Sequence, residues 1–160
     1  NFFRLVCYLF WLCCQILDIF HHMTQKYNSG YNPAGLEERT PEGAGELAAG
    51  DLVLACVGEI CRTALRDQDV FGRIGGEEFA IVLPEVGLDE ALDLADRLRR
   101  EVAQKPVAVS ANHTVDVTIS TGVATLSPTC QSFHDLMVLS DRALYRAKDA
   151  GRNTVCGPAA

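Results

Sequence analysis

The stretch Phe71–Glu85, FGRIGGEEFAIVLPE, constrains this chain more than any other, because two glycines and two glutamates interrupt what otherwise reads as strand. The flanks alternate apolar and polar residues and then turn strongly apolar through Leu83, the pattern of a strand entering an interior. Gly75 and Gly76 therefore mark a hairpin tip, since a Gly-Gly pair accepts positive φ at both positions without a Cβ clash. Glu77 and Glu78 then leave the tip on opposite faces of the strand. Two readings are open at this point. The tip is either a solvated hairpin with ordinary surface acids, or an anion or nucleotide site where a carboxylate holds a metal and bare glycine backbone admits a ligand.

At 160 residues the chain has the size of one domain able to bury a core without disulfides. Its net charge of -7 argues against polymeric nucleic acid as a partner, because affinity for phosphate backbones comes from clustered Lys and Arg. A small nucleotide stays open, since a metal ion and a few placed cations neutralise it locally. The seven cysteines (Cys7, Cys13, Cys14, Cys56, Cys61, Cys130 and Cys156) form neither an even framework nor a CxxC pair. They read as small hydrophobes in a reducing, cytoplasmic compartment. The opening, NFFRLVCYLFWLCCQILDIF, begins with Asn, which suggests a piece of a longer chain. Its uncharged run from Leu5 to Cys14 is ten residues, short of the roughly 20 that a membrane span needs, and reads as a buried strand.

Tyr27–Gly50 is rich in Gly, Pro, Glu and Asn and reads as a long loop inserted at about 27–50. From Asp51, a plausible cap, Val53, Val57, Ile60, Cys61 and Ala64 recur at helical spacing. Leu88, Ala91, Leu92, Ala95, Leu98 and Val102 make one apolar stripe of a second helix. VAVSANHTVDVTISTGVATL is β-branched with a turn near Asn112, so it predicts a hairpin whose second strand is the longer. Phe133, Leu136, Met137, Ala143, Leu144 and Ala147 predict a third helix, stopped by Gly151 and followed by a short strand in NTVC. Helices mixed with hairpins predict an α+β fold, a mainly antiparallel central sheet flanked by helices.

GGEEF followed by AIVLPE resembles the signature of the GGDEF family, the diguanylate cyclases, in its GGEEF variant. Three further stretches resemble that family at its spacings: RDQD upstream, with Arg66 and Asp69 as an RxxD pair; TISTGVATL; and SDRALYRAKDAGRN, Ser140 to Asn153. The resemblance covers about Gly50 to Val155 and implies a nucleotidyl-cyclase-like fold with a ferredoxin-like core. It implies that two GTP molecules condense to cyclic di-GMP, each ribose 3′ hydroxyl attacking the other nucleotide's α-phosphate while pyrophosphate leaves. Carboxylates beside phosphates are what a Mg²⁺ or Mn²⁺ site requires.

By that resemblance Glu77 is a metal ligand with Asp18 and the backbone carbonyl of Ile19, and Glu77, Glu78 and Asp18 are catalytic. Gly75, Gly76, Asp51, Lys148 and Arg152 contact substrate. Arg66 and Asp69, with Arg97 clasping from a neighbouring domain, bind the inhibitory product. The resemblance also implies a homodimer for catalysis and a sensor or receiver domain elsewhere in a longer protein, with membrane anchoring left open. Bland readings stand beside these: cations closing a helix suit its dipole in any protein, a simple surface pair is the less favoured reading of Arg66 with Asp69, and Arg97 lies on an ordinary charged helix face.

The first third departs from the family pattern. Phe20 and Met23 stand where the family has Asp and Lys, no clear counterpart exists for the Asn that reads the guanine edge, and the usual lead-in is absent. A site built to hydrogen-bond a base loses heavily when a partner is missing. The alternative is therefore a catalytically degenerate domain serving as a cyclic di-GMP receptor or interaction module through Arg66 and Asp69.

Overall fold

The computed structural model describes residues 7–14, 42–127, 130 and 132–159, with side chains from residue 49 onward. In chain order the elements are β1 (Cys7–Cys14), α1 (Glu42–Ala64), β2 (Val70–Arg73), β3 (Glu78–Pro84), α2 (Leu88–Ala103), β4 (Val107–Ser110), β5 (His113–Val115), β6 (Ile119–Thr125), α3 (Phe133–Asp149) and β7 (Val155–Cys156). Five strands form one sheet in the order β2-β3-β1-β6-β7, antiparallel except for the β6–β7 pair, while β4 and β5 pair separately.

The expected buried strand at the start of the chain is β1, which occupies the centre of the sheet between β3 and β6. Alternation along β3 then decides what each face meets. Phe79, Ile81 and Leu83 face a core built with Val53, Val57, Ile60 and Cys61 of α1 and Ala91, Ala95, Leu98 and Val102 of α2. Ala80 and Val82 pack toward Leu136 of α3 on the other side. Burying side chains the size of Ile81 or Leu83 contributes about 2 kcal/mol each, so a one-residue slip that exchanged the faces would forfeit several such terms. Stacking of Phe71 on Phe79, with centroids 5.4 Å apart, ties the edge strand β2 to the same core.

Two boundaries differ from the sequence expectation. Residues 42–50 of the expected loop belong to helix α1, Asp51 lies inside that helix instead of capping it, and residues 27–41 of that loop lie outside the described residues. Gly43, Gly45 and Gly50 lower local propensity by about 1 kcal/mol each, which hides the helix from a propensity reading. Burial of Ala49 shows the tertiary contact at work. The single long second strand expected after Asn112 is instead β5 and β6, which belong to different sheets. β-Branched residues favour strand but do not choose its partner. Phe133, expected on the buried stripe of α3, is exposed.

Helix α3 approaches the sheet closely over Gly122. A Cβ there would stand 2.1 Å from the Ser140 carbonyl oxygen and 2.3 Å from the Leu144 nitrogen. Its start is a capping box, in which Ser132 Oγ accepts from Asp135 N at 3.0 Å and the Asp135 carboxylate accepts from Ser132 N at 3.1 Å.

Candidate functional site

The hairpin tip is four residues long, Ile74 to Glu77, rather than the expected two. It closes through Ile74 N and Gly75 N, which both donate to the Glu78 carbonyl, at 2.9 and 3.3 Å. Arg73 reaches forward and donates to the carbonyls of Gly75 and Gly76. Neither tip glycine uses positive φ; among described glycines only Gly151 does. The space a Cβ at Gly75 would take is used by Glu78, whose carboxylate would lie 2.8 Å and whose Cβ 3.3 Å from it, so a side chain there would push the flexible Glu78 carboxylate aside. Around Gly76 nothing lies within 4 Å of an added Cβ, so that position is open to an approaching ligand. Glu77 and Glu78 are both half-buried.

Register brings other segments to this end of the sheet. Glu78 pairs with Cys13, which in turn pairs with Ser120 near the start of β6. On the far side of β6, Thr121 N donates to the Thr154 carbonyl at 3.0 Å, where the chain enters β7. Three strand spacings therefore separate the GGEEF tip from the turn that follows α3, about 14 Å. Lys148 lies in the last turn of α3. The helix ends in a Schellman arrangement, with Arg152 N donating to the Ala147 carbonyl at 3.1 Å and Gly151 N to the Lys148 carbonyl at 3.4 Å. Gly151, Arg152 and Asn153 follow one another at φ 103°, 64° and 42°. Left-handed backbone costs a non-glycine residue about 1–2 kcal/mol, so two such residues in succession need support from their surroundings.

The RxxD pair stands at the other end of β2. Arg66 Nη2 donates to Asp69 Oδ1 at 2.7 Å and to the Pro84 carbonyl at 3.2 Å, while Arg66 N donates to Asp69 Oδ2 at 2.9 Å. The Asp69 side chain is only 2% exposed, and its hydrogen bond raises the Arg66 pKa above the ordinary guanidinium value. Four residues of β2 carry the chain about 13 Å from this turn toward the GGEEF tip, so the two motifs are separate places despite adjacency in sequence.

Asp51 is exposed, fifteen residues before Arg66 along α1 and its end, hence displaced about 22 Å. Arg97 is exposed on α2, nine residues beyond Leu88 and about 14 Å along the axis. Asp18 and Ile19 lie outside the described residues. Among the described residues no three His, Cys, Asp or Glu side chains come together as a metal site. Cys56, Cys61, Cys130 and Cys156 are free thiols; burial, with Glu101 nearby, pushes Cys61 up to about 12.

Two residues at this end of the sheet escaped the sequence reading. Arg73 had a signal, its place two residues before the glycine pair. Arg99 had none: its Nη1 donates to Asn153 Oδ1 at 3.0 Å across 54 residues of sequence.

These features define a nucleotidyl-cyclase-like α+β domain. The model for the family described as "Diguanylate cyclase, GGDEF domain" matches residues 45–154, and the chain belongs to that family. YhcK of Bacillus subtilis, an uncharacterised protein, is 40% identical over 107 residues, 67% of this chain and 30% of that protein. Diguanylate cyclase A of Treponema denticola is 36% identical over 108 residues, 68% of this chain and 29% of that protein. The chain thus spans under a third of the length of these relatives. The solved GGEEF domain of a Vibrio cholerae diguanylate cyclase, described as active, superposes with a TM-score of 0.75 at 24% identity, over 98% of this chain and 85% of that one. Among the described residues, no helix is long and apolar enough to cross a membrane.

Proposed function

We propose that residues 1–160 form one GGDEF domain, part of a longer protein, that condenses two GTP into cyclic di-GMP and two pyrophosphates. The observation that carries this reading is the convergence of the GGEEF tip, the end of β1 and the Lys148–Arg152 turn at one end of the sheet. A nucleotide laid across that end meets carboxylates on one side and cations on the other. Lys148 and Arg152 hold phosphate oxygens, the open backbone at Gly76 beside Gly75 admits the nucleotide, and Asp51 contributes to base recognition. Glu78, whose carboxylate folds over Gly75, fixes the tip and is poised beside the reacting groups.

The donor set suits a hard divalent cation. Glu77 supplies carboxylate oxygen, and Asp18 with the Ile19 carbonyl would complete the ligands, four residues being enough to extend about 14 Å from Cys14. Mg²⁺ or Mn²⁺ held there would offset charge developing on the phosphoryl oxygens. Because one domain carries one GTP, two domains must face each other for the hydroxyl of each nucleotide to reach the α-phosphate of the other. Arg66 and Asp69, remote from the tip, bind the product, with Arg97 contributed by a facing domain.

The test is incubation of purified protein with GTP and Mg²⁺, with chromatography for cyclic di-GMP. Product is expected, and more from an Arg66→Ala variant in a dimerising fusion. No product from that fusion would overturn the cyclase reading. One observation favours the receptor alternative: Phe20 and Met23 stand where the family has Asp and Lys. Tight cyclic di-GMP binding without turnover would establish it.

A further inference from the structure

We propose that Arg99 is a positioning residue for the phosphate-holding turn, acting through Asn153 on the backbone that presents Arg152. The inference rests on the reading of Lys148 and Arg152 given above and adds the residue that holds them in place. Three observations converge on it. First, the left-handed run Gly151-Arg152-Asn153 contains two residues with a Cβ, and such backbone persists only where its surroundings over-determine it. Second, part of that determination is local: Arg152 N is bonded to the Ala147 carbonyl, and Thr154 is bonded through its carbonyl to β6. These bonds bracket Asn153, whose own side chain is held from outside by Arg99 Nη1 at 3.0 Å.

Third, Arg99 is itself preorganised. Its Nε donates to Asp96 Oδ1 at 2.8 Å, and its side chain is only 20% exposed. Asp96 is shared with Arg100, whose Nε donates to the other carboxylate oxygen at 2.9 Å. A planar guanidinium can serve Asp96 with one edge and Asn153 with another; an ammonium on a flexible stem has no such fixed fork. The chain Asp96–Arg99–Asn153 therefore ties α2 to the turn after α3, and the Arg152 side chain leaves from the middle of the turn so tied.

The test combines GTP binding by calorimetry in Mg²⁺ with amide hydrogen exchange. Arg99→Ala and Asn153→Ala are each expected to weaken GTP at least tenfold. The double variant is expected to lose little more than either single one, since both remove the same contact. Exchange at the Arg152 amide should quicken at least tenfold in Arg99→Ala, while the β3 amides of Ile81 and Leu83 keep their protection. Arg99→Lys, a gentler change, should show the same loss of affinity with the sheet intact. GTP affinity in Arg99→Lys and Asn153→Ala within twofold of the parent would overturn the proposal and leave the nucleotide reading standing, as would losses that multiply in the double variant. A parent protein that binds no GTP would instead overturn the nucleotide reading, and this assignment with it.

Discussion

The Ser140 carbonyl of α3 occupies the space beside Gly122 of β6 so closely that a Cβ would stand 2.1 Å from it. Both neighbours of that missing Cβ are helix backbone, which moves only if the helix moves. Gly122→Ala must lift α3 from the sheet. Overpacking of this kind costs about 1–3 kcal/mol, and a rigid backbone neighbour puts the expected loss near the top of that range. Urea denaturation would measure it, and an unchanged midpoint would contradict the packing described. Because α3 carries Lys148 at its far end, any folded fraction should also bind GTP more weakly.

Gly151 is the other glycine whose conformation matters, here through its φ of 103°. Gly151→Ala meets no neighbour within 4 Å, so its cost is backbone strain alone. A loss of about 1–2 kcal/mol is expected. Gly151→Asn should recover part of it, because Asn tolerates the left-handed region better. Thermal melts of the two variants side by side would test the order.

The Cys61 thiol gives the protein an alkaline limb. Burial raises its folded pKa to about 12 from an unfolded value near 9, so the contribution to stability is complete below about pH 9 and is lost as pH rises toward 12. At about 1.4 kcal/mol per unit the full effect is on the order of 4 kcal/mol. Cys61→Ala should be less stable at pH 7 through the lost packing, yet its stability should fall less steeply above pH 9. Parallel slopes for the two proteins between pH 9 and 11 would show that the thiol does not titrate as its burial requires.

Arg66 and Asp69 should separate under mutation. The carboxylate is buried in its turn while the guanidinium is largely open, so Asp69→Ala should lower the melting temperature more than Arg66→Ala does. On the proposed function, Arg66→Ala should also weaken cyclic di-GMP binding at least tenfold and leave the KM for GTP within twofold. Calorimetry and initial rates would check both halves.

Local pattern made the hairpin, the stripes of α2 and α3, the capping turn at Gly151 and the family signature readable in the sequence. Each depends on residues a few positions apart, and short-range periodicity or turn chemistry suffices to report it. The same local view misplaced the start of α1, where three glycines masked a helix held by packing, and it gave the glycine pair a positive-φ role when Gly75 instead makes room for the Glu78 side chain.

What the sequence by itself determined, then, is the β2–β3 hairpin, the existence of the three helices, the apolar stripe of α2, and which motifs the chain carries. Tertiary structure alone decided that β1 lies between β3 and β6, that residues 113–125 divide between two sheets, and that Arg66 and the GGEEF tip stand at opposite ends of one strand. It alone brought Arg99 to Asn153. The physical reason is that pairing register and long-range hydrogen bonds depend on the closure of distant segments. No periodicity along the chain encodes that closure.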